Sequence, residues 1–204
     1  MIRLGVVGAA AVAAFFVFIT VVFGIWYTID QTERGVILRN GAIVGTAEPG
    51  LSFKMPWIDS VRSISVQSHK QEYDKMAAYS ADQQPAEMRV SVNFHIPPSE
   101  VASVYASYGS FENLISRVVD PRVYEETKTV FGQFNAVTAI QERARLNAEI
   151  GAAIQKAVKG PVVIENVQIE NIDFSDAYEQ SIEQRMLAEV EVQRVRQNLE
   201  KEKV

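Results

Sequence analysis

Cysteine is absent from the 204 residues, and the two histidines, His69 and His95, lie far apart in the chain. The first absence excludes disulfides, thiolate chemistry and Cys-ligated zinc, and leaves the compartment open. Excess positive charge is missing too. Twenty Lys and Arg stand against 25 Asp and Glu, a net charge of −5, so there is no basic field for nucleic acid. No G-x-x-x-x-G-K-[ST] loop and no G-x-G-x-x-G turn is present to cradle phosphates. Neither a G-x-S-x-G elbow nor an H-E-x-x-H pair occurs. Acidic pairs are present (Glu72 with Asp74, Glu125 with Glu126, Asp173 with Asp176), but any acidic chain carries such pairs, and they read as solvated surface. Serine and lysine are too common for a Ser-Lys dyad to be picked out. The sequence therefore predicts no catalytic residue, no metal ligand and no cofactor, and the chain is expected not to be an enzyme.

Charge is also missing from one long stretch. Leu4 to Ile29 (LGVVGAAAVAAFFVFITVVFGIWYTI) contains no charged residue. A bilayer core about 30 Å thick needs roughly 20 apolar helical residues, so this run predicts a transmembrane anchor over residues 1–29. Phe15, Phe16, Phe18 and Phe23 would face lipid, and Trp26 and Tyr27 would mark the headgroup level. A cleaved signal peptide fits less well, because the small residues Ala9 to Ala14 come early and large apolar ones follow. A buried core helix would normally carry polar residues on one side. Lys/Arg counts are nearly even across the run. The short N-terminal tail favours a signal anchor with the body on the non-cytoplasmic side of a bacterial inner membrane or its equivalent.

Strands dominate the next part of the chain. Arg34 to Arg39 reads as one, punctuated afterwards by Gly41 and Gly45. Pro49-Gly50 is a turn. Leu51, Phe53 and Met55 alternate with Ser52 and Lys54 until Pro56 removes a donor. Ser60 to Gln67 is a further strand. Glu87 to Ile96 is the clearest: Met88, Val90, Val92, Phe94 and Ile96 share one face, and Arg89, Ser91, Asn93 and His95 the other. The order predicts an antiparallel sheet with one packed and one wet face. His95 lies on the wet phase and reads as solvated or hydrogen-bonded.

Helical spacing begins at Pro97-Pro98. Val101, Val104, Tyr105 and Tyr108 precede a stop at Gly109. Ser110 caps a segment carrying Leu114, Ile115, Val118 and Val119. Asp120-Pro121 is read as a cap and first-turn proline opening another helix, closed by Gly132. Thr138 and Gln141 form a T-x-x-Q capping box before a long helix whose apolar face runs Ile140, Ala144, Leu146, Ile150, Ile154, Ala157 and Val158. Gly160-Pro161 ends it. Val162 to Phe174 is a strand whose apolar phase slips at Glu170–Asn171, predicting a bulge or bend. From Ser175 the chain is helical to the end. Ala188, Val192, Val195 and Leu199 recur at spacings of 4, 3 and 4, a heptad seam, and the helix is expected to continue past Val204.

This order of features resembles the SPFH or band-7 superfamily of stomatin, prohibitin, flotillin and HflK-HflC. The likeness covers residues 28–204 and rests on PGLSFKMPW (Pro49 to Trp57), MRVSVNFHI (Met88 to Ile96), the Thr/Gln-capped helix and VVIENVQIENIDFSDAY (Val162 to Tyr178). NVQIENIDFSDAYEQSIEQRMLAE (Asn166 to Glu189) is most similar to the prohibitin branch. Asp82-Gln83-Gln84 stands where many relatives have Asp-Gly-Gln, so this turn is expected to be shaped differently.

The resemblance implies an α+β fold with an N-terminal transmembrane helix, two small α/β subdomains with antiparallel strands, and a long C-terminal coiled-coil helix. The divisions are 1–29 anchor, 30–96 mainly β, 97–174 helices plus strand, and 175–204 the start of the coiled coil. It further implies a membrane-bound oligomeric scaffold, built from copies of the chain with or without a paralogue, that closes into a ring or cage and holds partners such as FtsH-type membrane proteases. A regulatory subunit of such a protease is the alternative, and a membrane-anchored hydrolase with an unrecognised site is a third reading. Pro49, Gly50, Phe53, Pro56 and Trp57 are expected to lie beside the membrane. Ala188, Val192, Val195 and Leu199 are expected to mediate assembly.

Overall fold

The computed structural model describes residue 12, residues 14–19 and residues 24–202; side chains at 185, 186, 189 and from 196 onward are outside that description. Most of the expected anchor therefore lies outside the described residues. Residues 14–19 are helical, with Phe15, Phe16 and Phe18 exposed. Among the described residues, no helix is long and apolar enough to cross a membrane. The far end of the expected span needs correction: Trp26–Ile29 is strand β1, not helix. Trp, Tyr, Thr and Ile in succession favour extended backbone, and a neighbouring strand is available to pair with.

That neighbour is β4 (Gly50–Phe53), antiparallel to β1. Between them lie β2 (Glu33–Arg39) and β3 (Ala42–Ala47). With β5 (Asp59–Ser65) they make a sheet of order β3-β2-β5, antiparallel throughout. β3 is a strand the sequence reading passed over. Asn40 (φ 48°) and Gly41 (φ 88°) form the two-residue hairpin loop, and two positive φ angles in an Asn-Gly pair are the mark of a type I′ turn. Gly45 faces Ile37 beside a register shift, so the second glycine sits in a bulge, not a loop. Gly35 is buried in β2 because any Cβ there would run into the Ile29 side chain and crowd Val61 and Ala47.

The third sheet has the order β6-β7-β8, from β6 (His69–Tyr79), β7 (Pro85–His95) and β8 (Val163–Phe174). β6 was not legible because its phase breaks: Tyr73 is buried, and so are Met76 and Ala78. The slip falls at Asp74–Lys75, and Lys75 takes φ 53°. All five expected residues are buried, four within β7 and Ile96 directly after it, but the strand's second face is not uniformly wet, since Ser91 is also buried. β8 changes phase between Ile169 and Phe174, both buried, as the sequence predicts. Gln83 turns the β6–β7 loop with φ 61°, so this turn takes a glycine-like conformation without a glycine.

Two helical expectations are corrected. After α1 (Val101–Tyr108), α2 (Phe111–Leu114) runs through a π turn (Ile115–Val119) straight into α3 (Asp120–Phe131). Asp120 does not cap a new helix; its N–H donates to the Ile115 carbonyl, five residues back. The wider turn absorbs the hydrogen bond that Pro121 cannot donate. The Thr138–Gln141 capping box is likewise absent. Both residues lie within α4 (Ala136–Gln141), which starts after Asn135. The long helix is α5 (Arg143–Ala157), which begins after a break at Glu142. Leu146, Ile150 and Ile154 of α5 are fully buried, whereas Ile140 is exposed. The last helix, α6, is Asp176–Glu202.

By contact the chain forms two compact units, interleaved in sequence: Met1–His69 with Phe94–Pro121 and Val158–Glu165, and Lys70–Asn93 with Arg122–Ala157 and Asn166–Val204. In the first, α1 packs on β2 and β3, and Phe111 stacks on Phe94 with centroids 6.0 Å apart. In the second, Asn147 of α5 accepts the Ile169 N–H of β8 at 2.9 Å, and Arg145 lies over the Phe134 ring at 5.3 Å.

Candidate membrane and assembly surfaces

Among the described residues, two surfaces that gather exposed apolar side chains bear on function. The first is the β1–β4 ribbon. Trp26 pairs with Phe53 and Thr28 with Leu51, so these four side chains share one face. Trp26 is 49% exposed, Leu51 60% and Phe53 71%. Residues on the alternate phase turn inward, and Ile29 is buried. Solvated sheets normally place polar residues outward; here the outward face is apolar. The loop that follows β4 exposes Met55, Trp57 and Ile58 as well. Of the expected membrane-proximal residues, Phe53 and Trp57 thus reach the surface together, Gly50 shapes the start of β4 with φ 116°, and Pro49 and Pro56 are half-buried.

The second surface lies where α6 leaves its unit. Ile140 of α4, Ile172 and Phe174 of β8, and Tyr178, Ile182, Leu187 and Val190 of α6 line an open groove of about 490 Å³, bordered by Glu179 and Glu183. Phe174 holds the helix start through Phe131 (6.4 Å) and Tyr178 (5.4 Å). The expected seam lies elsewhere on α6: Ala188, Val192 and Val195 are exposed, and the Leu199 side chain is outside the description. At 100° per residue the groove stripe and the seam sit roughly 150° apart around the helix. The groove residues of α6 escaped the sequence reading because their spacings of 4, 5 and 3 spread them over about half of the helix circumference and hold no single helical period.

A polar cluster surrounds His95. Its Nδ1 lies 2.6 Å from Glu165 Oε1, and Ser68 Oγ donates to Glu165 Oε2 at 2.6 Å. The carboxylate sits between serine and imidazole and is held below its usual range, chiefly by the Ser68 hydroxyl. In a serine–histidine–acid triad the imidazole stands between hydroxyl and carboxylate; here the carboxylate stands between serine and imidazole. His69 is 2.9 Å from Ser65 Oγ and stacks near Phe111 at 4.4 Å. Among the described residues no group of three or more His, Asp or Glu could hold a metal ion.

The α+β fold agrees with the comparisons. Residues 27–203 match the model of the SPFH domain / Band 7 family. Prohibitin-7, mitochondrial, of Arabidopsis thaliana is 25% identical over 178 residues, covering 86% of this chain and 63% of that protein. Prohibitin-2 of Schizosaccharomyces pombe is 23% identical over 171 residues, 82% of this chain and 58% of the relative. Protein HflK of Haemophilus influenzae is 30% identical over 71 residues, 35% of this chain and 17% of the relative. The chain thus spans less than two thirds of each of these curated relatives. With the match running from β1 into the last helix, the chain belongs to the SPFH domain / Band 7 family.

Proposed function

We propose that the chain is a membrane-anchored scaffold that assembles with copies of itself, or with a paralogue, into a ring or cage. The assembly encloses a membrane patch and holds membrane proteins there. The observation that carries this reading is α6, whose 27 residues expose apolar side chains on two nearly opposite faces. A helix packed on one neighbour needs a single apolar stripe. Two stripes suit two neighbours, and a contact joining different faces of successive copies repeats until it closes. Anchoring raises the effective concentration, so each contact can be weak. In this arrangement the apolar run that precedes β1 spans the bilayer, and the β1–β4 face rests on it. The two interleaved units form the body, in place of the sequential division at residues 96 and 97, and 175–204 begins the coiled coil through Ala188, Val192, Val195 and Leu199.

Electron microscopy of the detergent-extracted full chain tests this. Rings or cages well above about 10 subunits are expected for a closed lateral array. Replacing Val192, Val195 and Leu199 together by Asp should reduce them to small species. An unchanged particle removes α6 from the assembly, and a wild-type monomer overturns the scaffold reading. The likeness to HflK favours a second reading, a regulatory subunit of an FtsH-type membrane protease. Pull-down in mild detergent separates the two: a stoichiometric protease without self-assembly supports the second.

A further inference from the structure

Asp59 and the loop it closes carry a feature that assembly does not use. The Asp59 side chain is only 4% exposed. Its Oδ1 accepts from Arg39 Nε at 2.8 Å, and its Oδ2 accepts from Arg39 Nη2 at 3.1 Å and from the Met55 N–H at 3.1 Å. The Asp59 N–H donates back to the Met55 carbonyl at 3.0 Å, and the Asn40 N–H donates to the Ile58 carbonyl at 3.1 Å. The five residues Met55 to Asp59 are thus tied at the base by a two-pronged ion pair and backbone bonds. Within the loop, Trp57 takes φ 64°, a conformation that costs a bulky residue about 1–2 kcal/mol. Such strain persists where the surroundings over-determine it. The outcome is a tryptophan 74% exposed at the loop tip, flanked by exposed Met55 and Ile58.

We infer that Asp59 is a positioning residue for membrane contact: paired with Arg39, it holds Met55–Ile58 as a preformed apolar wedge that seats Trp57 in the interfacial layer of a lipid bilayer. The inference rests on the ribbon being the membrane-facing side. A bilayer is favoured over a protein partner by continuity. The wedge begins two residues after Phe53, the Lys54 N–H donates to the Ile25 carbonyl at 2.6 Å, and β1 begins within the uncharged run Leu4–Ile29. Indole rings favour the headgroup level, and a rigid wedge loses little conformational freedom on insertion. Without the Asp59 charge, the Arg39 guanidinium loses its bidentate partner and the loop can reopen.

The chain has two tryptophans, Trp26 and Trp57, so emission reports this surface alone. W26F and W57F chains, reconstituted in phosphatidylcholine vesicles doped with brominated lipid, isolate each indole. Both should be quenched. D59N should cut Trp57 quenching at least twofold and leave Trp26 quenching and the circular dichroism spectrum unchanged. The exchange of Arg39→Asp with Asp59→Arg should restore part of it. Should D59N misfold, R39Q, which keeps the Met55 bond, replaces it and should give a smaller loss in the same direction. Undiminished Trp57 quenching in the folded variant overturns the positioning role. Trp57 unquenched in the parent chain while Trp26 is quenched overturns the seat. If neither indole meets lipid, the membrane reading of the ribbon itself fails.

Discussion

Asp59 shows how a single carboxylate can fix a surface that hydrophobicity alone leaves loose. Hydrogen bonding to Arg39, then the Met55 N–H, holds its carboxyl below the ordinary carboxylate range. Its stabilising contribution is therefore complete above the unfolded value near 4 and is lost as pH falls through the depressed folded value. An acid titration followed by Trp57 emission in the W26F chain should show a transition below pH 4 that D59N lacks. Gln83 is a second such position. With φ 61° it bears the left-handed penalty of about 1–2 kcal/mol, against a glycine entropy cost of about 0.5–1. Gln83→Gly should raise stability by about 0.5–1 kcal/mol in urea unfolding. Asp82 anchors that turn by accepting from Ser80 Oγ at 2.6 Å and from the Ala136 N–H at 2.9 Å, so the loop keeps its shape whichever residue occupies position 83.

At the scale of elements, regular periodicity was readable and interruptions were not. β7 and α5 repeat their apolar residues without a break, and their buried residues followed from spacing. β6 and β8 each slip phase. The slip in β8 was visible because Ile172 and Phe174 resume the pattern, whereas β6 resumes with Met76 and Ala78 after the charged pair Asp74–Lys75. The merger of α2 and α3 was hidden by Asp120-Pro121, which reads locally as a start; only the π turn reconciles a mid-helix proline with continuous backbone. α5 offers a direct check on packing. Leu146 is fully buried, and truncation of such a residue leaves a cavity costing about 2–5 kcal/mol. Leu146→Ala should lower the unfolding free energy from urea denaturation by that amount, while Ala144→Ser, at an exposed site of the same helix, should change stability by less than about 0.5 kcal/mol.

For the whole molecule, the proposed assembly would join α6 either seam to seam or seam to groove. The absence of cysteine makes it answerable by cross-linking without background. Chains carrying Ile182→Cys and chains carrying Val192→Cys, differently tagged and co-assembled, should cross-link to each other more than either does to itself if successive copies join by different faces. Val192→Cys linking mainly to itself would mean a symmetric seam, which pairs copies but does not by itself build a ring. The groove's rim, Glu179 and Glu183, faces solvent and would meet whatever lies along the next helix.

The family, the α+β class and the main apolar faces were already contained in the linear order of residues, because alternation and helical spacing act over a few neighbours. The strand at Trp26–Ile29, the hairpin at Asn40-Gly41, the continuous α2–α3 helix and the Arg39–Asp59 tie were settled by three-dimensional pairing. Trp26–Ile29 can extend an apolar helix or form a strand, and β4 decides between them by supplying hydrogen-bond partners. Arg39 and Asp59 stand 20 residues apart, and no local pattern marks them. They meet because β2 and β5 run antiparallel with Arg39 opposite Asp59.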